Sequence, residues 1–250
     1  MPVFRTLLER AMASIGPIFG VLDWYRRSPV QGILLRHDVD RRPMNAVALA
    51  ELENSLGVRC TYYFRVIGDA FCPRAIERIA QLGHEIGYHY EDLAHARGNP
   101  VLAMELFTKH LSLLGKYAEI RTIAMHGSPL SRFNNHDLWI TQGYRNLGIE
   151  ADALLDIDYT NLSYFTDTGR SWGAGASNLR DRPPSGSATE ERVRSTMELA
   201  AFLHRCDHKR VAITAHPERW DSDLSGWLGQ LIKDAMANTA KIALRLARTQ

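Results

Sequence analysis

Four apolar runs of this chain end in histidine or aspartate: ILLRHDVD at residues 33–40, HEIGYHYED at 84–92, TIAMHGSP at 122–129 and AITAHPERW at 212–220. Acids and imidazoles are costly to dehydrate, so at the edge of a buried segment they either cap a turn or do chemistry. Asp38 and Asp40 are two apart, and in an extended backbone both side chains leave the same face. One can then bind a cation while the other, within hydrogen-bond reach of the same water, takes its proton. His89 and Glu91 share a face by the same rule, and His126 and His216 add two further imidazoles. Two imidazole nitrogens with one carboxylate, leaving positions open, suit a single divalent ion: zinc first, with cobalt, nickel and iron as alternatives. A histidine across from that ion can protonate a leaving amine. His37 points to the opposite face of its strand and His84 stands at the wrong end of its own, so both read as structural.

These groups converge only if the elements behind them are parallel. Short β-like runs alternate with helix-like stretches, the pattern of an α/β protein with a largely parallel sheet, whose active-site face is the C-terminal strand edge. The expected strands are Ile33–His37, Cys60–Val66, Glu85–His89, Thr122–His126, Ala153–Ile157, Tyr164–Asp167 and Val211–His216, about seven in all. Helices are expected over Pro43–Leu56, Pro73–Leu82, Pro100–Tyr117, His136–Leu147 and Ala188–Cys206, and Gly57, Gly83 and Gly148 follow three of them as C-terminal glycines do. A last helix, 224–247, carries Leu228, Leu231, Ile232 and Ala235 at helical spacing and is expected to pack on the domain. Residues 169–187 are rich in Gly, Pro, Ser and Arg and read as a long functional loop. In YFTDTGRSW, Asp167 and Arg170 offer hydrogen-bonding groups and Trp172 an apolar face for contacts to a substrate; Arg170 paired to Asp167 over a small core is the bland alternative.

The 250 residues, 45% hydrophobic and 23% charged, fit one domain spanning 1–250 with its core in about 30–220. A formal charge of +2 with interspersed signs disfavours nucleic acid. Cys60, Cys72 and Cys206 are odd in number and widely spaced, as expected of reduced thiols in the cytoplasm. Residues 1–22 are broken by Glu9, Gly16, Pro17 and Gly20, so neither a signal peptide nor stable membrane insertion is expected.

From about Ile33 to Trp220 the motifs resemble polysaccharide deacetylases of the nodulation-protein-B type, carbohydrate esterase family 4, and more narrowly the branch found in O-antigen and other surface-polysaccharide biosynthesis. The resemblance implies a distorted (β/α)7 barrel of the polysaccharide deacetylase type and an N-acetylated sugar as substrate. It implies Asp38 as general base, Asp40 and His89 as metal ligands and His216 as general acid. The chain departs from the family where Val39 separates the aspartates and where Leu93 stands in place of the second histidine. His126 is the preferred replacement ligand, with Glu91, Asp92 and His95 as rivals in that order. A barrel without catalysis, binding saccharide or a biosynthetic partner, is the second reading, and hydrolysis of a non-sugar amide a third.

Overall fold

A computed structural model of the chain describes residues 1–128, 131–168, 172, 193–205, 209–221, 223, 229 and 231. Eight strands form one sheet: β1 (Ile18–Phe19), β2 (Gly32–Val39), β3 (Thr61–Phe64), β4 (Glu85–Tyr90), β5 (Ile120–Met125), β6 (Ala151–Asp152), β7 (Ser163–Thr166) and β8 (Arg210–Ala215). Their order is β6-β5-β4-β3-β2-β8-β7, with β1 added beside β2, and every pairing is parallel. The sheet curls into a distorted (β/α)7 barrel, as the resemblance implied. The C-terminal ends of β2, β4, β5 and β8 therefore share one rim.

The described α-helices are α1 (Pro2–Ser14), α2 (Val21–Arg27), α3 (Pro43–Ser55), α4 (Pro73–Gln81), α5 (Asp92–His95), α6 (Pro100–Leu114) and α7 (Thr196–Arg205). Pro2, Pro43, Pro73 and Pro100 open four of them, where a missing N–H costs nothing and the fixed φ favours the first turn. Phe4, Leu7, Leu8 and Ala11 recur at helical spacing and are wholly buried, so α1 belongs to the core that the sequence reading placed within 30–220. A second cluster, including Val21, Trp24, Leu34, Tyr63, Ala153 and Ala212, joins α2 to the inner face of the sheet. Glu85 fastens that junction: its carboxylate accepts from the hydroxyls of Thr61 and Thr122 and, at 3.0 Å, from the backbone N–H of Leu22.

Three expectations shift. Residues 153–157 form a turn after the two-residue β6, because Asp152 Oδ1 takes the N–H groups of Leu154 (2.8 Å) and Leu155 (3.1 Å) and stops the ladder. The helix expected over His136–Leu147 is two 3-10 segments, Asn135–Ile140 and Arg145–Leu147. Ala188–Cys206 shortens to α7 among the described residues, and helix 224–247 lies almost wholly outside them. No helix among the described residues is long and apolar enough to cross a membrane.

Gly87 lets the site strand sit close to its neighbour. A Cβ there would stand 2.2 Å from the Tyr63 ring and 3.0 Å from the Thr122 carbonyl, while Tyr63 crosses β4 to donate its hydroxyl to Thr122 Oγ1 at 2.9 Å. Gly87→Ala is expected to destabilise the fold by about 1–3 kcal/mol through overpacking, read as a lower urea midpoint at unchanged m-value.

Candidate metal centre and proton-transfer groups

Strand β2 leaves the barrel rim carrying Asp38 at its end and Asp40 just beyond. Asp40 Oδ1 stands 3.5 Å from His89 Nε2 and 3.5 Å from His126 Nε2, and the three residues offer donor atoms all within 4.8 Å of one another. Such separations are long for hydrogen bonds but match the edges of a tetrahedron, about 3.3 Å for metal–ligand distances of about 2.0 Å.

Both imidazoles are oriented from behind. His89 Nδ1 donates to the Ala124 carbonyl at 3.0 Å, and His126 Nδ1 to Glu91 Oε2 at 2.9 Å, so in each ring Nε2 is the nitrogen left facing Asp40. Burial, offset only in part by Asp38 and Asp40, pushes the His89 imidazole down to about 4, so it is neutral at pH 7. Burial opposes ionisation of Asp40, yet the charged groups around it, His126 foremost, hold its carboxyl well below the usual range. Among the described residues, Asp38 Oδ1, Asp40 Oδ1 and both oxygens of Glu218 are buried without a hydrogen-bond partner. Buried carboxylate oxygens left unpaired are unfavourable, and a cation satisfies them. The donor set and this excess of acceptors both fit a divalent ion held by Asp40, His89 and His126.

Asp38 is 1% exposed and flanks the donors, its Oδ2 3.3 Å from Arg36 Nη2 and 4.0 Å from His89 Nε2. Arg36, two residues earlier on the same face of β2, is itself tied to Thr214 Oγ1 at 2.9 Å. Across the rim, His216 ends β8 and places Nδ1 2.6 Å from Asp167 Oδ1. Burial and Arg219 lower the pKa of His216, but Asp167 outweighs them and it rises to about 9, leaving an imidazolium at neutral pH. Glu218 follows two residues later, pushed up to about 7 by burial and by Asp40.

The residues expected to contact substrate are engaged within the chain. Besides His216, Asp167 accepts from Arg219 Nη1 at 2.8 Å and Trp220 Nε1 at 2.9 Å, which fixes His216, while Asp167 and Trp172 line one cavity. Trp172 is 3% exposed and donates Nε1–H to Thr196 Oγ1 at 3.0 Å, which places it in the core. Arg170 lies outside the described residues. The rival ligands are engaged elsewhere. Glu91 grips His126 and, through Oε1, Arg65 at 2.6 Å; Asp92 binds Tyr88 and His110; the half-exposed His95 reaches Glu91 at 3.5 Å. Leu93 packs with Ala96, Ala103 and Leu138, an apolar anchor at the position where the resembled family carries a histidine.

Arg36, Arg65 and Glu218 were not singled out in the sequence, although each stands within two residues of a recognised motif position or at a strand end. The Glu91–His126 contact has a direct consequence. Glu91→Gln keeps the shape but weakens the hold on the ring, and metal affinity is expected to fall about 10- to 100-fold by competition with a chelator.

No family model and no curated protein matches the sequence. Among solved structures, a pseudoenzyme from Bacillus anthracis is 13% identical, with a TM-score of 0.46 over 81% of this chain and 59% of its own. The chain thus spans less than two thirds of that protein's length. These similar structures are carbohydrate esterase family 4 proteins. An esterase of carbohydrate esterase family 4 from Streptococcus mutans is 15% identical, with a TM-score of 0.45 over 92% of this chain and 90% of that one. Another carbohydrate esterase family 4 structure, from Bacillus anthracis, is 12% identical, with a TM-score of 0.42 over 91% and 83%.

Proposed function

We propose that this chain is a metal-dependent carbohydrate N-deacetylase of the polysaccharide deacetylase type, removing an N-acetyl group from an amino sugar in bacterial surface-polysaccharide (O-antigen) biosynthesis in the cytoplasm. The observation that carries the reading is one rim holding a carboxylate–bis-imidazole donor set, an adjacent aspartate with one oxygen left without a hydrogen-bond partner, and a protonated histidine. When bound, a divalent ion, zinc first by its donor set, supplies Lewis acidity toward an acyl oxygen and a water. Asp38 takes the proton of the attacking water, with Arg36 fixing its carboxylate. His216, oriented by Asp167, gives its Nε2 proton to the departing amine, and acetate and a free amino sugar leave. Asp40, His89 and His126 hold the ion, and Glu91 and Ala124 keep both rings aimed at it.

Leu93, in place of a histidine, favours a second reading, a barrel that binds saccharide without cleaving it. Acetate release from N-acetylated amino sugars by the purified, metal-loaded protein, abolished by chelation and restored by zinc or cobalt, is the expected result. Loaded protein that binds the sugar but releases no acetate supports the silent barrel.

A further inference from the structure

On the face of β2 opposite Asp38, a second set of donors converges. His37 (β2), Glu53 (α3), Cys60 (just before β3) and His84 (just before β4) are each 5% exposed or less. His37, Glu53 and Cys60 each offer a donor atom within 4.8 Å of the others. Cys60 Sγ lies 3.1 Å from Glu53 Oε2 and 3.5 Å from His84 Nδ1, and that Nδ1 is 3.8 Å from the same carboxylate oxygen. For bonds of about 2.0 Å to nitrogen or oxygen and about 2.3 Å to sulfur, tetrahedral edges are about 3.3–3.6 Å, close to this triangle.

The tautomer of His84 is set for the same purpose. Its Nε2 faces the Ala50 carbonyl at 3.1 Å, an acceptor only, so Nε2 carries the proton and Nδ1 the lone pair, which accepts the Cys60 N–H at 3.3 Å and would release that bond to take an ion. A backbone carbonyl behind a ring nitrogen is the usual support of a metal-bound histidine. Tyr62 donates to Glu53 Oε2 at 2.6 Å, and His37 Nε2 stands 2.7 Å from Glu53 Oε1, so the carboxylate is gripped on both oxygens. His37 Nδ1 is buried with no partner among the described residues.

We propose that Glu53, Cys60 and His84, with His37 as the fourth donor in reach, form a second, structural metal site of the zinc type that ties α3 to the starts of β3 and β4. One thiolate and one carboxylate cancel the charge of a divalent ion, the condition for burying it with no solvent access. The site is independent of the catalytic centre proposed above. It shares no residue with Asp40, His89 and His126, and it leaves no open position for substrate.

Cobalt(II) substitution separates the two sites, because only this one contains sulfur. The full chain, expressed in cobalt-supplemented medium as wild type and as Asp40→Asn, is examined for cobalt per chain and for the near-ultraviolet thiolate-to-cobalt charge-transfer band. The proposal expects about two cobalt ions per wild-type chain and about one in Asp40→Asn, with the band undiminished in the variant. The band persists in Cys72→Ala/Cys206→Ala, where Cys60 is the sole thiol, and disappears in Cys60→Ala. Asp40→Asn without the band, or a band that survives Cys60→Ala, overturns it and leaves the cluster as hydrogen bonds alone. Equal cobalt content with the band in both wild type and Asp40→Asn instead removes the metal from the proposed catalytic centre.

Discussion

Asp38→Asn is expected to lower kcat for N-acetyl sugar hydrolysis about 10²- to 10⁴-fold while leaving metal content unchanged. The amide keeps the shape of the side chain beside Arg36 and His89, whose atoms lie 3.3 and 4.0 Å from Oδ2, but it cannot take a proton from water. Asp38 is not among the three residues that bring donor atoms together, so the ion stays. Steady-state acetate release combined with metal analysis checks both halves. A loss smaller than tenfold at full metal occupancy removes Asp38 from the role of base.

The second large effect is expected at Asp167, which touches no reacting atom. Its carboxylate grips His216, Arg219 and Trp220, and it is the main influence raising His216 against burial and Arg219. Because the acid must be protonated to serve the leaving amine, wild-type kcat/KM declines as pH rises through about 9. Asp167→Asn removes the attraction and leaves Arg219 nearby, so the basic limb moves to lower pH and kcat at neutral pH falls by about 10²-fold or more. A merely structural role for Asp167 lowers the amount of folded enzyme without moving the basic limb of the profile. The pair also contributes to folding. With the His216 pKa raised above its unfolded value, that stability is fully present below the ordinary histidine range and is lost as pH rises through about 9.

What was legible in the sequence is the part dictated by period and strand ends. Asp38, Asp40, His89, His126 and His216 follow apolar runs that are strands, and parallel pairing alone brings them to one rim. What was not legible depends on partners distant in sequence. Asp167 looked like a ligand-facing group because nothing near it in the chain announces that His216, Arg219 and Trp220, about fifty residues later, occupy its oxygens. Glu91 and His126 were rivals for one coordination position when read from spacing; the fold makes one the support of the other across 35 residues. The α1 stripe of Phe4, Leu7, Leu8 and Ala11 was present in the letters but was weighed only as a question of export. Residues 153–157 are apolar apart from Asp156 and read as a short buried strand, yet one side-chain cap from Asp152 outcompetes the ladder.

The central claim is that Asp40, His89 and His126 hold the ion that serves the reaction. A crystal of zinc-loaded protein, with anomalous data collected on both sides of the zinc edge, tests it most directly. The account predicts a peak bonded to one oxygen of Asp40 and to Nε2 of both histidines, at about 2.0–2.2 Å, with Glu91 still on His126 Nδ1. Zinc-loaded crystals with no peak among these three residues, or with Glu91 bound to the metal and His126 turned away, would contradict it.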